Sequence, residues 1–157
     1  MINILLAVAL IAADQVFKYL AVSGLKGQQA LTVIPHFLGL RYAENTGAAF
    51  SILSGKVDFL IIITAIALIA ILYAVVTKKI GDRFETFCFV LIFAGGVGNL
   101  IDRVVNGVVV DYLEFLFIDF PIFNFADVLI CCGVGLYAVY TIALEIASKK
   151  KKDKTNE

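Results

Sequence analysis

Residues 58 to 77 read DFLIIITAIALIAILYAVVT, and this stretch decides the fold class. It carries no charge after Asp58, and about 20 apolar residues are what an α-helix needs to cross the hydrocarbon core of a bilayer. Three further stretches qualify, near residues 2–22, 84–105 and 122–146. The composition, 61% hydrophobic and 17% charged, is far more apolar than that of an ordinary soluble domain and does not indicate a nucleic-acid-binding surface. The sequence therefore predicts an α-helical integral membrane protein with four transmembrane helices.

Basic residues predict how these helices are oriented. The connection KKIGDR, residues 78–83, is basic, and lysines dominate the segment SKKKKDKTNE at the C-terminus. Because basic loops are retained in the cytoplasm, we expect both termini to be cytoplasmic and residues 23–57 and 106–121 to lie at the outer face. We expect residues 1–148 to form one membrane-embedded domain and residues 149–157 to be a basic cytoplasmic tail.

The two outer segments have the patterns of β structure. Leu38, Leu40 and Tyr42 alternate as in a strand, and the sequence NTG at residues 45–47 indicates a turn. The dipeptide at residues 106–107, Asn-Gly, precedes a β-branched run and favours a hairpin. We therefore predict a small extracytoplasmic β-cradle, mainly from residues 23–57 and 106–121. Its apolar stretch FLFIDFPIF, residues 115–123, suggests contact with membrane lipids.

Three aspartates are predicted to lie at one depth in the membrane. Asp102 ends the third helix, Asp127 begins the fourth, and Asp14 falls in the outer half of the first. Asn99 and Asn124 each precede one of these aspartates by three residues, so each pair shares a helix face. A charge at the centre of a transmembrane helix costs about 2.5–3.5 kcal/mol on insertion scales, so such residues usually serve a function.

An aspartyl pair is the chemistry that these residues favour. Two carboxyls that lie close together in a low-dielectric site compete for one proton. The charged carboxyl then takes a proton from water while the neutral one donates to a peptide carbonyl oxygen, which hydrolyses a peptide without a covalent intermediate. Structural roles are the alternative: Asp14 and Lys18 have the spacing of a simple ion pair, and Arg103 could reach the lipid headgroups while pairing with Asp102.

Other catalytic machinery has little support in the sequence. His36 is the single histidine, and the sequence contains neither an H-E-x-x-H metal motif nor a G-x-S-x-G nucleophile motif. We therefore predict no metal and no cofactor. Two functions from other classes remain open at this point: a small transporter or proton relay that uses the three aspartates, and a non-catalytic membrane chaperone that uses the β platform.

Five stretches of the sequence together resemble one known family. They are ADQ at 13–15 with Lys18 following, ENTGAAFS at 44–51, GGVGNLIDR at 95–103, VVDY at 109–112 and FNFAD at 123–127. In this order, and across nearly the whole chain, they resemble the bacterial lipoprotein signal peptidases, also called signal peptidase II. The resemblance implies a multi-pass enzyme of the bacterial cytoplasmic membrane with its active site at the outer face.

The resemblance also implies a substrate, an inhibitor and the site residues. The substrate would be a prolipoprotein whose cysteine carries a diacylglyceryl group, cleaved just before that cysteine, and the peptide antibiotic globomycin would inhibit the enzyme. The catalytic aspartates would be Asp102 and Asp127. The resemblance implies supporting roles for Asp14, Asn45, Asn99, Arg103 and Asn124. We also expect substrate-binding or supporting roles for Lys18, Gly47, Asp111 and Ala126.

Overall fold

Four long helices dominate the fold. The computed structural model describes residues 2–48, 52–77 and 79–153. Its helices are α1 (Ile2–Leu25), α2 (Val57–Val76), α3 (Arg83–Asn106) and α4 (Phe125–Asp153). All four are long and apolar enough to cross a membrane, and many of their large apolar side chains are exposed on the outside of the bundle. The predicted architecture of four membrane helices with a small sheet is confirmed.

Helix α4 continues into the predicted basic tail. Its 29 residues correspond to about 43 Å at 1.5 Å per residue, which exceeds the roughly 30 Å hydrocarbon core. Lysine is a good helix former, and Lys149 Nζ lies 3.0 Å from Glu145 Oε1, one turn earlier. The helix therefore extends beyond the apolar span, with no break at residue 148.

Helix α3 begins and ends at clear capping residues. Asp82 accepts a hydrogen bond from the backbone N–H of Glu85 at 2.8 Å, and Gly107 follows the last turn with a φ of 71°. Gly107 thus ends the helix, and the hairpin predicted at residues 106–107 is wrong. Helix C-caps and type I′ hairpins both require a positive φ, so the dipeptide alone could not distinguish them.

A three-stranded antiparallel sheet packs against helices α1 and α3. Its strands are β1 (Leu31–Ile34), β2 (Leu38–Asn45) and β3 (Val109–Phe115), in the order β1-β2-β3. Ala43 is paired with Asp111, and the register shifts between Leu40 and Ala43. The first residues of β3 are buried whereas β1 is exposed throughout, so β3 is the strand that lies against the helices.

Helix α3 is the centre of the bundle. In its most apolar 18-residue window 44% of the residues are buried, against 17% or less for the other three helices. Helices α1, α2 and α4 each pack against it. Gly95 and Gly98 permit this packing, because a Cβ atom at either position would collide with the backbone of Ala126 or with the carboxylate of Asp14.

Two glycines on α4 give a matched test of the α3–α4 contact. A Cβ on Gly133 would lie 2.7 Å from both the carbonyl oxygen of Cys88 and the Cγ1 of Ile92, whereas nothing lies within 4 Å of a Cβ on Gly135. We expect Gly133→Ala to lower the free energy of unfolding by about 1–3 kcal/mol, the usual cost of overpacking. Gly135→Ala should leave it unchanged or raise it slightly. Thermal unfolding in detergent measures both, and equal midpoints would contradict the close contact at Gly133.

Candidate active site

A buried lysine lies between α1 and α3. Lys18 Nζ is 3.0 Å from Asp14 Oδ2 and 3.1 Å from Asp102 Oδ2, and it donates to Asn99 Oδ1 at 2.9 Å. Lys18 is 3% exposed, and both aspartates are at least as buried. The predicted ion pair of Asp14 and Lys18 therefore exists, but it is part of a larger network in which one ammonium group faces two carboxylates and an amide oxygen.

Gln15 extends this network on the α1 side. Its Nε2 lies 3.2 Å from Asp14 Oδ2, 3.2 Å from the carbonyl oxygen of Gly98 and 3.3 Å from Asp102 Oδ1. It therefore links the two aspartates, and it shares Asp14 Oδ2 with the Lys18 ammonium. Because Gly98 has no side chain, α1 approaches α3 closely enough for these contacts.

The first turn of α4 is capped by side chains. Asn124 Oδ1 accepts from the backbone N–H of Asp127 at 3.0 Å, and Asp127 Oδ2 accepts from the N–H of Asn124 at 3.1 Å. This reciprocal pair is a capping box, so the three-residue spacing seen in the sequence orients Asp127 directly. Tyr112 Oη accepts from the N–H of Phe125, and Asp14 Oδ1 accepts from that of Ala126 at 3.0 Å. All three amides at the start of the helix are thereby satisfied, as their burial requires.

Asp111 projects from β3 toward the start of α4. It is 3% exposed and accepts hydrogen bonds from Asn124 Nδ2 at 2.6 Å and from Asn45 Nδ2 at 3.1 Å. Burial, and secondarily the negative charge of Asp127, raises the pKa of Asp111 to about 6. It therefore holds its proton far more readily than an ordinary aspartate.

Asp127 is the more accessible of these two carboxyls. It is partly exposed, and its Oδ1 accepts from Asn99 Nδ2 at 2.8 Å. Asn124 connects it to Asp111, because the side-chain nitrogen of Asn124 contacts Asp111 while its backbone N–H contacts Asp127. Two acidic groups from β3 and α4 are thus held by one asparagine, an arrangement suited to general acid–base chemistry.

Asp102 lies on the other side of the network, with its oxygens occupied. Oδ2 faces Lys18 and also accepts from the backbone N–H of Val110 at 3.0 Å, while Oδ1 faces Gln15. The Val110 contact fixes the start of β3 next to Asp111. The geometry thus gives Asp102 the contacts of a positioning residue.

Arg103 and Asn45 hold the loop that follows β2. Arg103 Nη2 donates to the carbonyl oxygen of Gly47 at 2.8 Å, and Asn45 Oδ1 accepts from the N–H of Gly47 at 2.9 Å. The second contact is the turn that the sequence predicted. Asn45 also contacts Asp111, so it connects this loop to that carboxyl.

All eleven site residues predicted from the sequence lie in this region of contacts. Two contributors were missed, Gln15 and Tyr112, although both occur in the motifs ADQ and VVDY. A glutamine beside a membrane-embedded aspartate could have indicated Gln15 from the sequence. The role of Tyr112 could not be found in this way, because it depends on a contact with Phe125 at the start of α4. Within the described residues, no three His, Cys, Asp or Glu side chains form a group that could hold a metal ion.

The pKa of Asp111 can be measured directly. In protein with ¹³C-labelled aspartate carboxyls, we expect one resonance to titrate near pH 6, and Asp111→Asn should remove it. Asp127→Asn removes the neighbouring charge, so the midpoint should fall toward the ordinary value of 3.8 but stay above it because Asp111 remains buried. If the Asp111 carboxyl of the wild type titrates near pH 4, it is not in a buried environment next to the charge of Asp127.

The chain is similar to known proteins along almost its full length. Residues 6–143 match the model of the family described as signal peptidase (SPase) II. A lipoprotein signal peptidase from Staphylococcus aureus (strain bovine RF122 / ET3-1) is 41% identical over 153 residues, which are 96% of this chain and 93% of the relative. Two solved structures, both described as a bacterial membrane enzyme, superpose with TM-scores of 0.81 and 0.80 at 40% and 42% identity. They cover 94% and 88% of this chain, and this chain covers 90% and 91% of theirs.

Proposed function

Since this chain belongs to the signal peptidase II family and is a lipoprotein signal peptidase, we propose that Asp111 and Asp127 are its catalytic pair. The protein is an aspartic peptidase of the bacterial membrane that processes prolipoproteins. The transporter and chaperone alternatives are thereby set aside. The family alone does not say which carboxyls of this chain perform the reaction, and our proposal rests on the contacts of Asn124.

Asn124 supports the pairing of Asp111 with Asp127. Asn124 contacts both carboxyls, and the negative charge of Asp127 raises the pKa of Asp111. Asp102, which the sequence motifs favoured as the catalytic partner, instead balances Lys18 and holds the backbone of Val110. A carboxylate paired with a buried ammonium is a poor proton donor, because giving it a proton would leave that cation without a counter-charge.

The two carboxyls divide the reaction between them. Asp127 is partly exposed and accepts a hydrogen bond from the Asn99 amide, so it is positioned to be the base that takes a proton from the attacking water. Asp111 holds its proton to higher pH and donates it to the carbonyl oxygen of the scissile bond. The water oxygen bonds to the carbonyl carbon, giving a tetrahedral diol. When the C–N bond breaks, Asp127 protonates the leaving nitrogen and Asp111 regains its proton from the diol.

The remaining predicted residues support this pair. Asn99 and Asn124 orient Asp127, and Lys18 orients Asn99. Asp14 ties α1 to the start of α4 through the N–H of Ala126. Arg103 and Asn45 hold the loop at Gly47, and we propose that this loop lies over the bound peptide.

We propose that the site lies at the outer face of the cytoplasmic membrane. The basic connection at 78–83 and the lysines of the tail favour cytoplasmic ends for α2, α3 and α4, and this orientation supports β3 and the carboxyls lying outside. A membrane-impermeant thiol reagent applied to intact protoplasts should label a cysteine introduced at Gln28 but not one introduced at Ser148. The reverse labelling would rule out this orientation.

The proposed substrate is a prolipoprotein with a diacylglyceryl-modified cysteine, cleaved just before that cysteine. Acyl chains hold such a cysteine at the membrane interface, so the adjacent peptide bond lies at the depth of Asp127 near the outer end of α4. Incubation of the purified enzyme with a diacylated precursor should release the signal peptide, as seen by gel shift and by mass spectrometry of the new N-terminus. We further propose that globomycin blocks this release. Cleavage of an unmodified precursor at the same rate would contradict the requirement for lipid.

A further inference from the structure

A groove between α2, α3 and α4 opens on the lipid-facing side of the bundle. Its volume is about 240 Å³, enough for roughly eight groups of the size of a water molecule or a methylene at ~30 Å³ each. Helix α3 provides the floor, α2 one wall and α4 the other, through residues that include Ile92 and Gly96, Thr64 and Ala67, and Ile130. The lining contains no charged side chain.

The groove lies close to the proposed catalytic site along α3 and α4. Ile130 is one helical turn after Asp127, and Gly96 is one turn before Asn99, which donates to Asp127. Helices α3 and α4 run in opposite directions, so Ile130 and Gly96 each lie about 4.5 Å along the helix axis from Asp127 or Asn99, toward the middle of the membrane. The opposite face of α3 is covered by α1, where Asp14 contacts Gly98.

The shape and chemistry of the groove fit an alkyl chain. A peptide backbone in this region would need partners for every N–H and C=O, and among the lining residues only Thr64 has a polar side chain. The substrate of the proposed function carries two acyl chains on the residue next to the scissile bond.

We propose that the groove receives one acyl chain of the diacylglyceryl group while the scissile bond lies at Asp127. This inference rests on the proposed function and specifies how its lipid is recognised. An acyl chain gains little free energy by moving from the surrounding lipid into the groove, because both are apolar. Its contribution is instead orientation: a chain held along Gly96 and Ile130 fixes the modified cysteine relative to the carboxyls.

Filling the groove tests the proposal. Ala67→Phe places a ring in the groove, whereas Ala70→Phe places the same ring on an exposed position of α2 outside it. With a dipalmitoyl precursor we expect Ala67→Phe to lower kcat/KM by about tenfold and Ala70→Phe to leave it unchanged. With a dibutanoyl precursor, whose chains are too short to occupy the groove, both variants should match the wild type.

Other outcomes would overturn either the acyl site or the proposed function. Unchanged cleavage of the dipalmitoyl precursor by Ala67→Phe, or an equal loss with both precursors, would overturn the acyl site. If the wild type cleaves neither precursor, the proposed function itself fails. Should Ala67→Phe not fold, a dipalmitoyl precursor with a diazirine on one acyl chain can be photolysed on the wild type. Adducts in residues 60–71 or at Ile130 support the site, and adducts confined to α1 refute it.

Discussion

Asp111→Asn and Asp127→Asn should each lower the rate of precursor cleavage by about a thousandfold or more. In the proposed mechanism each change removes a group that gives or takes a proton in the transition state, a contribution of typically 10²–10⁴-fold, and the two groups act as a unit. Neither change should unfold the protein, because asparagine keeps the shape of aspartate and can still accept from Asn45 or Asn99. Initial rates with a diacylated precursor and melting temperatures in detergent measure the two effects separately.

Asp102→Asn is the control that separates the two candidate pairs. It weakens the contacts with Lys18 and Val110, so β3 can shift and displace Asp111. We expect a loss of about 10- to 100-fold, accompanied by a lower melting temperature, because the residue acts through the position of Asp111. A loss as large as that of Asp111→Asn, at unchanged thermal stability, would return the catalytic role to Asp102.

Lys18→Met should be the most destabilising single change in the network. It leaves Asp14 and Asp102, both almost fully buried, without the cation that lies 3.0 and 3.1 Å from them. Breaking a buried ion pair by removing one partner costs about 3–5 kcal/mol, a large share of the typical 5–15 kcal/mol stability of a folded protein. Chemical unfolding in mixed micelles is the measurement.

Lys26→Met provides the matched comparison for this prediction. Lys26 also pairs with a carboxylate, Glu44, at 2.8 Å, but both side chains are largely exposed. An exposed pair contributes little to stability, so this variant should unfold like the wild type. The double change Lys18→Met with Asp102→Asn should recover part of the lost stability, since one unpaired charge is removed. Equal destabilisation by Lys18→Met and Lys26→Met would mean that burial of the network has no energetic consequence.

The helices could be predicted from sequence because their signal is local. A run of about 20 apolar residues is sufficient evidence for each, and the predicted ends are within a few residues of the observed ones except where α4 continues into the lysine tail. The end of α3 shows the limit of local patterns. Gly107 has the positive φ that a glycine after asparagine suggests, but it serves a helix cap rather than a hairpin.

The sequence could predict which residues come together in this region, but not which of them contact one another. Asp102 and Asp127 each follow an asparagine by three residues, which makes them look like equivalent partners. Asp111 has no such local companion, because its asparagines, Asn45 and Asn124, come from distant parts of the chain. Contacts of this kind depend on how β3 packs against α4, and neither periodicity nor spacing within one segment reports them.

The bond from Asp14 to the N–H of Ala126 has a consequence for biogenesis. Ribosomes deliver the helices to the bilayer in order, so α1 enters long before α4 has been translated. In the meantime Asp14 can neutralise Lys18 within its own helix, as their spacing allows. The start of α4 can dock only when residue 126 has been translated, and Asp127, the base of the proposed mechanism, follows it directly. The proposed catalytic pair is thus completed only late in synthesis.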